Sequence, residues 1–306
     1  MEGHDMALPR GEANAGARAA CSSPIKIYGQ KFCPHVQRAW IGLEEKAVDY
    51  QWVEVDLEET VPENNGGGCG HALRRPLSLQ EIRERFPDFI ACSPRGRVPA
   101  LENYGEQVYN PMIILEYVHE SFSGPPLLPA QPFRRAQARL WARHVDEYIV
   151  PPYNLLLFGE ERDAARAALH EGLAAFEAAM APEAEGPFFL GDDFSIADIA
   201  LIPWWQRMCL VLRAFRKFDP SLCPRLQVWY EAVQARPSFL ATAMDAERLI
   251  EEHSLGAAAA NFAAAAAHGH NRLAQDPEPP REVPPLVAKT PSKAGGAPFQ
   301  RGHARR

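Results

Sequence analysis

The stretch KFCPHVQR, residues 31–38, determines the expected fold of the first half of the chain. It lies between a short β-branched run at residues 25–28 and a segment at residues 34–46 with helical character. Cys33 therefore falls at the N-cap of the predicted helix. Pro34 falls at the first helical position, where its missing N–H costs nothing. A strand, a turn and a helix with a cysteine at its start are the expected local structure.

The segments that follow predict a mixed α/β arrangement. Residues 50–56 (YQWVEVD) alternate as a strand does, and residues 98–103 with 106–109 predict a hairpin. The long connection from residue 58 to residue 95 begins with a run of polar residues and glycines. It predicts a mobile loop, followed by a helix over residues 79–85.

The second half of the chain is predicted to be helical, with helices near residues 132–150, 160–180, 195–216, 222–235 and 238–252. The last segment is rich in Ala, Pro and Gly and carries seven basic against three acidic residues, which predicts a disordered basic tail. The predicted divisions are a flexible leader (1–23), an α/β domain (24–120) with an inserted loop at about 58–78, a linker (121–131), an all-helical domain (132–253) and the tail (254–306).

Composition excludes several classes of function. The 306 residues carry 32 basic and 39 acidic side chains, so no overall positive field exists to attract nucleic acid or anionic lipid. No run of about 18 uninterrupted apolar residues is present, so no membrane span is expected. The six cysteines have no regular spacing, which favours free thiols in a reducing compartment and a cytoplasmic location.

Cys33 is the main candidate for chemistry. Unpaired N–H groups at a helix N-terminus stabilise a thiolate, so we expect its pKa to lie below the usual value of about 8.5. Val36 stands where a two-cysteine redox motif has its second thiol, so an external thiol would have to release a mixed disulfide. A small residue that fills a strand-to-helix corner is an equally open interpretation from position alone.

Three further features can be explained either by a functional role or by a purely structural one. Val98–Pro99 at the start of a strand suggests a cis bond facing a ligand, although a trans proline on an edge strand remains open. Ser195 and Asp198 form a capping box, whose expected role is to start a helix. Trp141 and Tyr148 lie seven residues apart on one helix face, and they either belong to the core or wall an apolar pocket.

No metal site is predicted. Cys69 and His71 lie in a glycine-rich loop, but two ligands fall short of the usual three or four. Cys69 as a distant resolving thiol for Cys33 is the alternative use of that loop.

Together these motifs resemble the glutathione transferase superfamily, and Cys33–Pro34 with QRAWI (37–41) and LEEK (43–46) resembles its cysteine-bearing omega-type branch. VPAL (98–101), YNPMIILEY (109–117) and the 195–198 capping box continue the resemblance over nearly all of residues 24–253. It implies an α/β thioredoxin-like N-terminal domain, an all-α C-terminal domain, and a second-substrate pocket between them.

The resemblance implies that Cys33 is the active-site thiol and that the backbone of Val98 pairs with the cysteinyl part of glutathione. The residues that it places in the glutathione site are Phe32, Pro34, Arg85, Val98, Pro99, Asn110 and Pro111. Glutathione would act as a co-substrate, with no permanently bound cofactor.

Two departures from the family pattern stand out. At Asn110–Pro111 the family usually has an acidic or amide residue followed by Ser, which binds the γ-glutamyl carboxylate, so two hydrogen bonds of about 1.5 to 3 kcal/mol each are lost. The inserted loop is the second departure. Arg74, Arg75 or Arg85 would either replace the lost anion contacts or simply be solvated.

The predicted function is a glutathione-dependent thiol transferase or reductase acting on a small electrophile, a disulfide, a glutathionylated protein or dehydroascorbate through a Cys33–glutathione disulfide. The alternative is a catalytically silent binding or scaffold module, favoured by Asn110–Pro111 and by the basic tail. A third interpretation is a protein that resembles chloride intracellular channels, but Arg38 and Glu44–Lys46 make the first helix unlike a membrane helix. A homodimer is a further expectation from the resemblance.

Overall fold

The computed structural model describes residues 25–61 and 73–253 of the chain. The predicted leader and tail lie outside the described residues, as do Cys69 and His71 of the inserted loop.

The first half is built on a four-stranded mixed sheet. The strands of the described chain are β1 (Ile25–Gly29), β2 (Gln51–Glu54), β3 (Glu58–Val61), β4 (Leu73–Pro76), β5 (Ala100–Asn103) and β6 (Glu106–Tyr109). The sheet has the order β2–β1–β5–β6, in which β1 and β2 are parallel and the other pairs are antiparallel. The strands predicted at residues 25–28, 50–56, 98–103 and 106–109 are present at nearly the predicted positions.

Helices cover both faces of this sheet: α1 (Pro34–Glu45), α2 (Leu79–Arg85), α3 (Pro87–Cys92) and α4 (Pro111–Ser121). Ile27 of β1 belongs to the larger buried cluster with residues of α1 and α4, whereas Tyr28 belongs to a smaller one with residues of α2 and α3. This alternation is the two-residue period of a strand buried on both faces. The sequence therefore folds as an α/β layer with a core on each side.

The inserted segment differs from the prediction of a loop that begins at residue 58. β3 and β4 pair as a separate antiparallel hairpin, with Glu59 opposite Arg75. The side chains of this pair form an ion pair with 2.7 Å between Nη2 and Oε2. Opposite charges on facing positions stabilise such a pair. The strands were missed because they are short and lie far apart in sequence.

The second half consists of helices, as predicted. They are α5 (Pro132–His144), α6 (Val150–Phe158), α7 (Arg162–Ala179), α8 (Ile196–Arg207), α9 (Arg213–Arg216), α10 (Pro224–Gln234), α11 (Pro237–Thr242) and α12 (Ala246–Glu252). Two π-helical segments, Val145–Ile149 and Met208–Leu212, connect α5 to α6 and α8 to α9.

Two predicted helix boundaries need correction. The helix predicted to end at residue 150 continues through the π-helical segment Val145–Ile149 into α6, which has Pro151 and Pro152 in its first turn. The helix predicted over residues 238–252 is two helices, because Asp245 starts α12 by accepting a hydrogen bond from the N–H of Arg248 at 2.9 Å.

The predicted capping box at the start of α8 is confirmed. The N–H of Ser195 donates to Asp198 Oδ2 at 2.8 Å, and Ser195 Oγ accepts from the N–H of Ala197 at 3.3 Å. Asp198 also accepts from the N–H of Phe189 and from Trp229 Nε1, at 2.8 and 2.9 Å. The carboxylate is fully buried, so it stabilises the fold around α8 and not only the helix end.

Helix α1 joins the two halves of the molecule, since it packs against α4, α8 and α11. Arg38 is fully buried on this helix, and its Nη1 lies 2.6 Å from Asp146 Oδ1. Near the end of α1, Glu45 binds Arg236 through two contacts of 2.8 and 2.7 Å. The helix that begins at Cys33 is therefore held by side chains of the helical half.

None of the helices within residues 25–61 and 73–253 has the length and apolar character needed to cross a membrane.

Candidate active site

The sheet register brings three of the predicted site segments to one edge. Tyr28 is opposite Ala100, and Ala100 is opposite Tyr109. The chain leaves β1 toward Cys33, enters β5 from Pro99 and leaves β6 toward Asn110, all at this edge. Cys33, Pro99 and the start of α4 therefore come together at this edge, although they are far apart in sequence.

Cys33 occupies the N-cap of α1, as predicted, with Pro34 at the first helical position. Its N–H donates to the carbonyl of Gln30 at 3.0 Å, which closes the turn after β1. Its own carbonyl accepts from the N–H of Gln37 at 3.1 Å, the first hydrogen bond of the helix. Cys33 is half-buried and is a free thiol.

The electrostatics of Cys33 differ from the expectation. Burial raises the pKa of the thiol above its ordinary value, whereas the N–H groups of Val36 and His35 and the charges of Arg207 and Arg38 lower it. The predicted contribution of the helix N-terminus is thus present. The predicted net direction is wrong, because removal of the thiol from water outweighs these groups.

Arg207 of α8 lies directly behind the Cys33 turn. Its Nη2 donates to the carbonyl of Phe32 at 2.8 Å, and its Nη1 donates to Gln37 Oε1 at 2.9 Å. The side chain of Gln37 is itself fully buried and donates to Gln206 Oε1 at 3.2 Å. This polar network from the helical half holds the backbone carbonyl before Cys33 and the Gln37 side chain after it.

A cluster of three aromatic side chains lies next to the Cys33 turn. The ring of His35, two residues after Cys33, meets Trp204 edge to face with centroids 5.4 Å apart. Trp204 in turn meets Tyr153 of α6 at 5.2 Å. The Nε1 of Trp204 and the hydroxyl of Tyr153 are buried without a hydrogen-bond partner among the described residues. These rings extend the site into the helical half.

The predicted cis bond between Val98 and Pro99 is present, directly before β5. Val98 is half-buried and Pro99 is buried.

Asn110 caps α4, as its type and position predicted. Its Oδ1 accepts from the N–H groups of Met112 and Ile113 at 3.0 and 3.4 Å, and Pro111 occupies the first helical position. Asn110 has a φ of 82°, a left-handed value that Asn tolerates better than most residues. Two N–H groups in the first turn of α4 are thus already bonded to the side-chain oxygen of Asn110.

The arginines near the insertion are engaged with acidic side chains. Arg85 Nη2 lies 3.2 Å from Glu59 Oε1, and Arg75 contacts Glu59 and Glu81 at 2.7 Å each. The side chain of Arg74 lies outside the described part of the chain. The structure therefore places Arg75 and Arg85 in a surface ion-pair network, in which their charges are already balanced.

Two family models match the chain. One is described as the glutathione S-transferase N-terminal domain and matches residues 32–121, and the other as the C-terminal domain and matches residues 159–232. Together they cover more than half of the sequence. The chain belongs to the glutathione S-transferase family.

Members of more than one class of this family are similar to the chain. Glutathione S-transferase U17 of Arabidopsis thaliana is 31% identical over 69% of this chain and 86% of its own length. The structure of glutathione transferase Omega 3C from Trametes versicolor is 30% identical with a TM-score of 0.59, covering 73% of this chain and 90% of that one. The Tau class MiGSTU from mango, Mangifera indica, is 28% identical with a TM-score of 0.60, covering 76% and 98%. The thioredoxin-like and helical halves predicted from the sequence are thus those of the glutathione S-transferase fold.

In this glutathione S-transferase the two aromatics predicted to wall a second-substrate pocket, Trp141 and Tyr148, contact rings of the helical half. Trp141 packs against Phe176 and Phe189, with centroids 5.9 and 5.6 Å apart, and Tyr148 is exposed and stacks on His144. These neighbours all belong to the helical half. The face of α5 that holds Trp141 points to α7, so we assign Trp141 to the core, the alternative left open above.

Arg207, Gln37 and Trp204 were missed by sequence reasoning as site residues. One signal was available, because Arg207 interrupts the most apolar stretch of the chain, and a charged residue within such a helix is expected to have a specific partner. The partner itself, the carbonyl of Phe32, could not be inferred because it is 175 residues away.

Within the described residues no group of three or more potential ligands is arranged to hold a metal ion. The Cys69–His71 segment, the candidate weighed from the sequence, lies outside those residues.

Proposed function

We propose that this protein is a glutathione-dependent thiol transferase of the omega-like, cysteine-using type. The observation that carries the proposal is the position of Cys33. It is a half-buried free thiol at the N-cap of α1, with the N–H groups of His35 and Val36 acting on its sulfur. Val36 occupies the position that an adjacent resolving cysteine would need, so we assign the second thiol to a co-substrate.

The proposed reaction is two thiol–disulfide exchanges. The Cys33 thiolate attacks the glutathione sulfur of a mixed disulfide, forms a Cys33–glutathione disulfide and releases the substrate thiolate, which takes a proton from water. A second glutathione, as its thiolate, attacks the glutathione sulfur of that disulfide. Oxidised glutathione leaves and the Cys33 thiolate returns. The substrate thiol is released in reduced form, and one free glutathione is oxidised, because it joins the glutathione of the substrate disulfide as oxidised glutathione.

The test is glutathione-dependent reduction of a small mixed disulfide by the wild type and by Cys33→Ser. Cys209→Ser is the matched control, because Cys209 is also a half-buried free thiol but lies in the helical half. We expect turnover and a glutathione adduct on the Cys33 peptide, both lost only in Cys33→Ser. Turnover that survives in Cys33→Ser would overturn the proposal.

A second candidate is a catalytically silent binding module, and the start of α4 is the observation that favours it. Asn110 Oδ1 already accepts from two N–H groups of the first turn, and Pro111 offers none. Titration calorimetry with glutathione separates the candidates. Binding together with turnover supports the enzyme, whereas the absence of both supports the module.

We also propose a homodimer. Ile113 on α4 and Phe133 and Leu140 on α5 are large apolar side chains that are 55%, 66% and 57% exposed. Phe133 and Leu140 lie seven residues apart and share one helix face. Leu140→Glu should convert a dimer to a monomer in analytical ultracentrifugation, whereas Leu240→Glu, at an exposed position on α11, should not.

A cytoplasmic location is the remaining proposal. The four cysteines among the described residues are free thiols, as a reducing compartment favours. Cell fractionation with an antibody to the protein tests it.

A further inference from the structure

Arg207 is a fully buried cation whose hydrogen bonds all go to neutral oxygen atoms. They are the side-chain amide of Gln37 and the backbone carbonyls of Phe32 and Pro203, at 2.8 to 2.9 Å. Its Nε has no hydrogen-bond partner among the described residues. Hydrogen bonds to neutral groups orient the guanidinium but leave its charge uncompensated.

Two other cations of the described residues that lie at the junction of the two halves are paired with carboxylates. Arg38 Nη1 contacts Asp146 at 2.6 Å, and Arg236 Nη2 contacts Glu45 at 2.7 Å. For Arg207 no such carboxylate lies within residues 25–61 and 73–253. An unpaired buried charge is costly, and burial accordingly lowers the pKa of Arg207.

Within the described part of the chain, three groups beside Arg207 are able to carry a negative charge: Cys33, Tyr153 and Tyr230. Burial raises the pKa of Tyr153 and of Tyr230, so both phenols stay neutral at physiological pH. His253 of the chain after α12 also lies near Arg207, and its pKa is lowered to about 4, so it adds no charge. Cys33 is the one group of this set that becomes an anion in the proposed reaction.

We propose that Arg207 is the counterion of the Cys33 thiolate and a positioning residue for it, an inference that rests on the thiol mechanism proposed above. The guanidinium acts on Cys33 in two ways. It holds the Phe32 carbonyl and Gln37 on either side of the thiol, and its free charge offsets the burial that opposes thiolate formation. Arg38 contributes less because Asp146 already balances it.

The counterion affects both exchange steps. In the first step it stabilises the attacking thiolate. In the Cys33–glutathione disulfide the negative charge is absent and Arg207 is again unpaired, so departure of the Cys33 thiolate restores the ion pair. A leaving thiolate that is stabilised departs faster. Arg207 therefore favours the second exchange, in which the Cys33–glutathione disulfide is broken and the Cys33 thiolate is set free.

The experiment is the pH profile of Cys33 alkylation by iodoacetamide, followed by mass spectrometry of the Cys33 peptide in the full-length protein. Arg207→Gln removes the charge and Arg207→Lys keeps it. We expect Arg207→Gln to slow alkylation at pH 7 about tenfold, the factor for one unit of pKa, with an unchanged rate at high pH where the thiol is fully ionised. Arg207→Lys keeps a positive charge but not the several N–H donors of the guanidinium, so it should slow alkylation at pH 7 clearly less than Arg207→Gln does.

Arg225→Gln is the matched control. The side chain of Arg225 likewise donates only to neutral oxygen atoms, the backbone carbonyls of Ala181, Gly186 and Pro187, and its Nε also lacks a partner among the described residues. Its loss should lower stability without moving the alkylation profile. The proposal is overturned if Arg207→Gln leaves the profile unmoved, or if Arg207→Lys slows alkylation as much as Arg207→Gln.

A second measurement needs no substitution of Arg207 and stays decisive if Arg207→Gln does not fold. Wild type is alkylated with iodoacetate, which leaves a carboxylate on Cys33, or with iodoacetamide, which leaves a neutral amide. Treated Cys33→Ser supplies the background from the other cysteines. We expect the carboxymethylated protein to melt several degrees higher. Equal melting temperatures would contradict the counterion. Neither measurement uses glutathione, so failure of the proposed transferase activity is detected separately.

Discussion

Removal of the Asp198 carboxylate should destabilise the helical half more than any other single helix-start substitution in the described chain. The carboxylate accepts four hydrogen bonds, from the N–H groups of Phe189 and Ser195, the hydroxyl of Ser195 and Trp229 Nε1. In Asp198→Ala the hydroxyl can turn to another acceptor, but three buried N–H groups are left without one. Each costs about 1 to 3 kcal/mol, so the expected loss starts near 3 kcal/mol.

Asp198→Ala also brings a gain in free energy, so we expect a loss of stability only a little above this lower limit. Burial raises the pKa of Asp198, which means that the folded protein holds this charge against a desolvation cost. Alanine removes that cost together with the hydrogen bonds. We therefore expect Asp198→Ala to lower the free energy of unfolding by about 4 kcal/mol, a large part of the 5 to 15 kcal/mol typical of domains.

Urea unfolding followed by circular dichroism at 222 nm measures this loss. Ser78→Ala is the matched control, because Ser78 begins α2 with the same kind of capping box at an exposed position. It should cost about 1 kcal/mol. If Asp198→Ala cost no more than Ser78→Ala, the reasoning that buried donors depend on this carboxylate would be refuted.

Three further predictions concern the sheet edge, the end of the described chain and the junction of the two halves. Pro111→Ser restores an N–H and a hydroxyl to the first turn of α4 and should tighten glutathione binding about tenfold or more in calorimetry, with Pro111→Ala, which restores the N–H alone, showing a smaller gain. The pKa of His253 is about 4 when folded, against 6.5 when exposed, chiefly because of burial, so the unfolded chain takes up the proton first. Stability should be complete above pH 6.5 and fall by about 2 to 3 kcal/mol as the pH drops to 4, and melting curves of His253→Gln should show a weaker fall over that window. Glu45→Gln leaves the Arg236 guanidinium without its carboxylate and should cost about 2 kcal/mol, measured as a fall in melting temperature; an unchanged value would show that this pair contributes nothing.

Features with a local cause were predictable from the sequence. Cys33 at the start of α1 follows from Pro34 and the neighbouring β-branched strand, and the cap of α8 follows from the spacing of Ser195 and Asp198. The cap of α4 by Asn110 is of the same kind. In each case the two interacting groups lie within a few residues of each other, so a short stretch of sequence is enough to recognise the interaction.

Features that depend on distant partners were not predictable. The role of Arg207 depends on Phe32 from the other half of the chain, and the net pKa direction of Cys33 depends on how completely the fold buries the sulfur. The position of Trp141 depends on which face of α5 meets α7. Periodicity shows that a helix has an apolar face but does not identify what covers it.

The buried polar face of α1 has a consequence for how the two halves can be exchanged between family members. Gln37, Arg38 and Glu45 lie on a thioredoxin-like helix, but their partners Arg207, Asp146 and Arg236 come from the helical half. A chimera that combines this first half with another protein's second half would leave buried charged and polar groups without partners at the interface between the halves. All three pairings would have to be introduced together to avoid this. We therefore expect the two halves to change together in evolution, and the same constraint applies to Cys33, which lies at the start of that helix.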